Sequence, residues 1–362
     1  MNALDKTERV SLALRELYQK HGYRQYTVSK FEEYDLYAQN RSFLGEERIL
    51  TFSDTDGRLM ALKPDVTLSV IKNTRDDERL RKMWYDENVY RAARNGYGFQ
   101  EIEQTGLECV GPIDLYAMAE VVMLAAESLA TISPAYVLDL SHLGLLTGVL
   151  DDAGADGETT AAVLAAIGEK NLHALREACR ALPDEAAALL EKLCLLGGAA
   201  DTVLPELLAL PLPPAALGAA RELEAMCAVL HVFGAYNVNI DLSVTNDTDY
   251  YNGLIFRGFV DGAHTGVLSG GRYDHLLHRM GKSGGAIGFA VYLSALEFLL
   301  YEKPAFDVDT LLVYGEEDAP ADVARAMQAL TAAGQSVRAQ RRGAPAVTYR
   351  RCVDLAGREA QP

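Results

Sequence analysis

Cysteine is sparse in this chain: Cys109, Cys179, Cys194, Cys227 and Cys352 are spread over its length with no C-x-x-C pair among them. An odd, scattered set argues against a disulfide framework and against structural zinc. Cations are also short, 34 Lys and Arg against 51 Asp and Glu, a net charge of -17. Phosphate contacts need clustered cations, so loose binding to nucleic acid is not expected. The one small basic cluster, Arg338, Arg341 and Arg342, reads as a solvated tail, and the single tryptophan, Trp84, as a core residue. No apolar run looks long enough to span a bilayer, and the opening MNALDKTERV is too polar for a secretion signal. The expected setting is the cytoplasm, with no membrane partner. What remains, 362 residues with 49% hydrophobic and 23% charged, is the composition of a globular protein with room for two or three units.

Glycine and tyrosine concentrate in residues 249–293. Two β-type runs, residues 254–260 and 265–268, flank Asp261-Gly262, the pattern of antiparallel strands joined by a turn. Gly270-Gly271 follows the second run, where missing Cβ atoms allow either a bulge or close approach of backbone or ligand to a sheet face. Gly281-Lys282-Ser283 imitates the end of a phosphate loop, but the motif needs glycine where Leu276 stands and is rejected. Asp274, His275 and His278 lack a recognised ligand spacing, and no metal is expected.

Upstream, Thr7 reads as the N-cap of a helix whose Val10, Leu14, Leu17 and Tyr18 recur at helical spacing before His21-Gly22; its apolar stripe is core or dimer interface. Residues 26–28 read as a strand, and residues 49–52 with 59–62 as a hairpin around Asp56-Gly57. Pro64 opens a helix through Asn73, leaving Asp65 and Thr67 at its N-terminal end, where capping is their simplest role. Residues 82–92 and 99–110 read as two strands joined by a short loop. Gln104, Gly106 and Glu108 share parity on the second, so they project to one face with the glycine clearing space between the polar pair. That face is either solvated or a ligand site. Asp114 caps a helix through Ile132, stopped by Pro134, and residues 136–140 supply a strand. Alanine and leucine dominate residues 146–236, broken at Gly154, Pro183, Gly197-Gly198 and residues 211–214, as in a helical insertion. His142, His173 and His231, in or near it, read as structural or surface residues. Residues 238–244 return to strand, and residues 310–314, 320–333 and 336–339 read as strand, helix, strand. The expected class is α+β: a discontinuous core domain (1–145 and 237–303), a helical insertion (146–236) and a short C-terminal α/β unit (304–362).

Asp249-Tyr250-Tyr251-Asn252, Gly270-Gly271-Arg272-Tyr273-Asp274 and Gly288-Phe289-Ala290 resemble the tyrosine motif, the glycine-rich strand and the opening of motif 3 in the histidyl-tRNA synthetase family. Residues 82–110 resemble class II motif 2, and the order and spacing match over most of the chain. The resemblance implies a class II aminoacyl-tRNA synthetase-like antiparallel sheet flanked by helices, with a C-terminal unit too short for the whole anticodon-binding domain. It also implies a histidine pocket built from Asp65, Thr67, Arg91, Gln104, Glu108, Tyr250, Tyr251, Gly271 and Tyr273. Physically the set suits free histidine: carboxylates for the ammonium, Arg91 for the carboxylate, tyrosine hydroxyls for the ring nitrogens.

The resemblance fails where the family activates its amino acid. Adenylation crowds charge onto a phosphate that preorganised arginines must meet, and the family uses one in motif 2, one before the tyrosine motif and one in motif 3. Arg91 matches the first; Asn246 and Ala295 stand where the others are expected. Tyr292 replaces a small glycine and Ala93 a glutamate. Two lost donors at about 3 kcal/mol each would slow adenylation by roughly four orders of magnitude. A synthetase-like pocket without those arginines, followed by a reduced C-terminal unit, resembles the regulatory subunits of ATP phosphoribosyltransferase. That second resemblance implies a subunit with no catalysis of its own, activating a short-form catalytic subunit at the first step of histidine biosynthesis. It implies histidine as feedback effector, no other cofactor, a hetero-octamer with the catalytic chain and self-association as a dimer; tRNA binding is not expected. The alternatives are a divergent histidyl-tRNA synthetase or free-standing histidine-activating enzyme, and a histidine sensor serving another partner.

Overall fold

In the larger of two units, Val10–Leu299, nine strands form one sheet among the described residues. Their spatial order is Arg24–Gln25, Arg81–Ala92, Phe99–Gly111, Gly285–Tyr292, Leu268–Arg272, Leu254–Val260, Tyr136–His142, Val238–Asp241 and Gly197–Ala199. Pairing is antiparallel from Arg81–Ala92 through Tyr136–His142. It turns parallel where Arg24–Gln25 and Val238–Asp241 join, the latter then pairing antiparallel with Gly197–Ala199. The computed structural model of the chain describes residues 6–44, 48–93, 98–234, 236–245, 250–296, 299 and 305–361, which leaves Asn246 and Asp249 outside the described residues.

The longest ladder runs from Arg81↔Val110 to Ala92↔Phe99 and fixes which side chains share a face. Directly opposed residues of an antiparallel pair project together, so Trp84 and Leu107 face one way while Tyr85, Gly106 and Glu108 face the other. Behind the first face lies the helix Leu115–Ile132, capped by Asp114, which accepts from the Ala117 amide at 2.8 Å. This helix corrects the expectation that no run could span a bilayer: by length and composition it could, with a mean hydropathy of 1.5. Its apolar surface has another use, because 67% of the helix is buried inside the protein. The helix Lys6–Lys20 packs on the same side through Tyr18, whose hydroxyl meets Ser128 Oγ at 3.0 Å and whose ring edges Phe289. Thr7 lies inside that helix instead of capping it, since Lys6 is already helical.

Over the other face sit the helices Thr67–Asn73 and Tyr34–Gln39, joined to the sheet by a cluster that includes Tyr37, Leu68, Ile71, Val110, Tyr273 and Ala286. A small sheet of Phe31–Glu33, Leu59–Leu62 and Thr51–Ser53 accompanies them, with the expected tight turn at Gly57, whose φ is +86°. Lys282, the rejected phosphate-loop lysine, donates to the carbonyls of Ile71, Lys72 and Thr74, where a cation favourably meets the unsatisfied end of the helix Thr67–Asn73.

Several boundaries differ from the sequence reading. Residues 26–28 are not a strand: the Tyr26 amide still donates to the Trp84 carbonyl at 2.8 Å, but the Val28 amide donates to Glu87 Oε1 at 3.0 Å. The glycine-rich strand is Leu268–Arg272, so Gly270-Gly271 lie within it. A Cβ on Gly270 would stand 2.5 Å from both the Gly288 carbonyl and Phe289 Cβ, and that crowding explains the residue without any bulge. Residues 143–233 form six α-helices among the described residues, from Leu143–Asp152 to Pro214–Phe233, and the edge strand Gly197–Ala199 interrupts them. They belong to the same unit as the sheet.

The smaller unit comprises Met1–Arg9 and Leu300–Pro362. Its sheet orders Val337–Arg341, Val308–Tyr314 and Tyr349–Val353, both outer strands parallel to the central one, around Leu311, Val313 and Cys352. The helix Pro320–Ala332 connects the first two strands in sequence. The third strand was not expected, and Arg341, read as part of a tail, ends a strand and pairs with Glu316 at 3.1 Å.

Candidate ligand pocket

Register alone gathers polar groups on the sheet face beneath Thr67–Asn73. Glu108 is opposed by Gly288, Gly106 by Ala290 and Gln104 by Tyr292, while Gly271 and Ser269 oppose Gly288 and Ala290 from the next strand. The result is a cavity of about 290 Å³ lined by Asp65, Thr67, Arg91, Gln104, Glu108, Tyr250, Tyr251 and Tyr273 among others. That volume lies at the small end of ordinary small-molecule sites, roughly 300 to 1,000 Å³. Gly271 does not line the cavity; its missing Cβ leaves room for the Tyr251 ring, which would be 2.7 Å away.

Glu108 is the electrostatic centre. It is 2% exposed, its Oε1 accepts from the Thr67 hydroxyl at 2.7 Å and its Oε2 from the Tyr273 hydroxyl. Burial pushes its carboxyl up to about 8; the two hydroxyl donors oppose that rise and the nearby Asp65 adds to it. Asp65 is raised as well, by burial first, with the Arg91 charge working against it. Its Oδ1 accepts from the Leu68 amide at 2.9 Å, so it does cap the helix, as the simplest reading had it. Arg91 is oriented by donating from Nε to the Pro64 carbonyl at 2.8 Å. Tyr250 stands against Tyr251 and Tyr273 with ring centres 4.7 and 5.7 Å apart, and burial raises the phenols of Tyr250 and Tyr273 well above their ordinary value.

The gap expected at Gly106 is not open. Tyr85, its ladder partner, fills it, with the phenol oxygen 2.6 Å from where a Cβ would be. Sequence reasoning missed Tyr85, which is 2% exposed and lines the cavity. The signal that could have found it was its register opposite Gly106. Ser269, Phe43 and Phe289 also line the cavity and were not anticipated.

Of the positions where the sequence resemblance expects the family's activating groups, Tyr292 lines the cavity; Ala93 is buried beyond the end of Arg81–Ala92; Ala295 sits in the turn Leu293–Leu296 away from the lining. Asn246 lies outside the described residues. Among the described lining residues, Arg91 is the single cationic side chain. Two carboxyls, five phenols and one guanidinium among these residues can hold a small zwitterion or cation. They offer little to a polyphosphate, whose charge calls for several cations at once. No group of three metal-binding side chains occurs among the described residues, and Asp274 bonds Arg272 Nε at 2.8 Å and the Ala286 amide at 2.9 Å instead.

Comparison with known proteins agrees with this architecture. A regulatory subunit of ATP phosphoribosyltransferase from Acetivibrio thermocellus is 28% identical over 319 residues, 84% of this chain and 76% of that protein. The solved structure described as an ATP phosphoribosyltransferase regulatory subunit/histidyl-tRNA synthetase from Bacillus halodurans superposes with a TM-score of 0.78 at 22% identity, covering 96% of this chain and 93% of that one. A chain of the ATP phosphoribosyl transferase (HisG:HisZ) complex from Thermotoga maritima gives 0.62 at 22% identity, covering 79% and 97%. The fold is that of class II synthetases. The histidyl-tRNA synthetase family model matches residues 2–296, and with most of its length inside that match the chain belongs to the histidyl-tRNA synthetase family.

Proposed function

We propose that this chain is a regulatory subunit of ATP phosphoribosyltransferase, without catalysis of its own, which activates a short-form catalytic subunit and transmits feedback by histidine. The observation that carries the reading is the pocket's imbalance: its carboxyls and phenols suit an amino acid, while Arg91 is the lone guanidinium among the described lining residues and the Tyr292 ring lies where the family has a small residue. In this reading Asp65 and Glu108 meet the cationic parts of histidine, Arg91 its carboxylate, and the hydroxyls of Tyr250, Tyr251 and Tyr273 its ring nitrogens. The names of the relatives and the catalytic partner in the Thermotoga maritima complex support the same assignment.

Regulation then follows from linkage. If histidine stabilises one arrangement of the complex over another, the arrangement must alter histidine affinity by the same factor. A dimer of this chain within a cytoplasmic hetero-octamer, with residues 304–362 as an anticodon-binding-like unit, belongs to the proposal. The test is phosphoribosyl-ATP formation by the short catalytic subunit from the same source, with and without this chain, each with and without histidine. Activation by the chain that histidine suppresses is the expected result. No effect on activity or inhibition overturns the proposal, and histidine-dependent exchange of pyrophosphate into ATP by this chain alone would establish an activating enzyme instead.

A further inference from the structure

His142 read from the sequence as a structural or surface residue, and it does not line the cavity. It ends the strand Tyr136–His142 and caps the helix Leu143–Asp152, its Nδ1 accepting from the Gly144 amide at 3.1 Å. A nitrogen that accepts carries no proton, so the neutral ring holds its proton on Nε2. That nitrogen faces Glu222 Oε1 at 3.2 Å. Glu222 comes from the helix Pro214–Phe233, and the bond from His142 is the chief reason its carboxyl lies below the usual range.

The other side of His142 meets the segment that carries the pocket tyrosines. Leu254 is its ladder partner, and the Leu143 amide donates to the Gly253 carbonyl at 2.8 Å. Gly253 has φ of +97°, and a Cβ there would stand 3.6 Å from His142 Nε2, so chain and imidazole fit closely. Two residues earlier, Tyr251 packs on the cluster of Leu143, Val244 and Ile255, with its ring against Tyr250. One imidazole therefore separates a helix of the alanine-rich stretch from the chain that aims two tyrosines into the cavity.

We propose that the His142–Glu222 bond is a positioning contact through which the helix Pro214–Phe233 sets the placement of Tyr250 and Tyr251, and so the affinity of the cavity for its ligand. Glu222 does not line the cavity, so its influence on a bound molecule runs through His142. The inference rests on the reading of the cavity as a histidine site. It gives the helical stretch a role in regulation: whatever displaces that helix changes histidine affinity without touching histidine.

The test is calorimetric titration of the full-length chain with histidine, beside thermal melting, for the unaltered protein, Glu222→Ala, Glu222→Gln, His142→Asn and the double variant His142→Asn with Glu222→Ala. Asparagine keeps an oxygen that can accept from the Gly144 amide, and the Glu222 side chain is 33% exposed, so the single variants should fold. The expected result is a 3- to 10-fold loss of affinity in Glu222→Ala and in His142→Asn. Glu222→Gln keeps the acceptor and should stay within 2-fold, and the double variant should be no weaker than the worse single one, because one contact is lost in all. Lower melting temperatures with unchanged dissociation constants would mean a purely structural bond and overturn the proposal. Failure of the unaltered chain to bind histidine overturns the pocket reading and this inference together, whereas binding that none of the variants alters overturns this inference alone.

Discussion

Replacing Glu108 with glutamine tests the electrostatics of the pocket without any ligand. The carboxyl is 2% exposed and held up at about 8, against an ordinary value of 4.5. Between those values the folded protein keeps a proton that the unfolded chain has shed, so raising the pH favours unfolding. The stabilising contribution is complete below about pH 4.5 and gone above about pH 8. Its slope is about 1.4 kcal/mol per pH unit and its full size on the order of 5 kcal/mol. Between pH 6 and 8 this one group should remove about 2 to 3 kcal/mol of stability. An amide of the same shape can still accept from Thr67 or Tyr273 and has no charge to bury, so Glu108→Gln should flatten that part of the profile and be the more stable form above pH 8. Urea unfolding followed by Trp84 fluorescence is a suitable assay, because Trp84 is the only tryptophan, is 2% exposed and sits beside Tyr85 on the strand that faces Glu108. Parallel pH profiles for the two proteins would refute the reasoning, since no proton would then be held by Glu108 in the folded state.

The same carboxyl should report ligand entry: a cationic group placed beside it favours the ionised form, so histidine binding at pH 7 should release up to about 0.9 proton, falling towards zero by pH 9. Titration calorimetry at each pH in two buffers of different ionisation enthalpy measures this, and equal heats at pH 7 would contradict it. Gly271→Ala would place a Cβ 2.7 Å from the Leu254 carbonyl and the Tyr251 ring, which should cost about 1 to 3 kcal/mol of stability and weaken histidine binding at least tenfold; unchanged binding would show that Tyr251 is not a contact. Lys282→Met removes the charge from the end of Thr67–Asn73 and should lower stability by about 2 kcal/mol in urea titrations, with little effect on affinity beyond that.

Where local chemistry decides structure, the sequence was readable. Alternation and turn residues place Arg81–Ala92 and Phe99–Gly111 within a residue of their ends, and Asp114 marks the start of its helix by the bond it makes. What failed depended on partners distant in sequence. Tyr349–Val353 is short and carries two arginines, so it shows no apolar alternation; it is a strand because the edge of Val308–Tyr314 accepts it. No apolar run looked long enough for a bilayer, yet Leu115–Ile132 passes that test, and only its burial behind the sheet shows what the apolar surface is for. His142 showed no sequence signal at all, because its partner Glu222 is 80 residues away on another helix.

The glycines of the pocket make the same point at closer range. In the sequence Gly106, Gly271 and Gly288 are alike, three small residues among strand formers, and each admits the reading that a ligand occupies the space beside it. Register separates them. Tyr85 fills the space at Gly106, Tyr251 lies over Gly271, and the carboxylate of Glu108 takes the room left by Gly288, where a Cβ would also stand 2.5 Å from the Leu107 carbonyl. All three seat a protein side chain, so the cavity is what remains after two tyrosines and a glutamate have been held in place from below. Their rotamers are set by close packing before any ligand arrives, which lowers the ordering cost of binding. The chemistry of the pocket thus comes from the side chains and its shape from the residues that have none, and a reading of sequence finds the first set far more readily than the second.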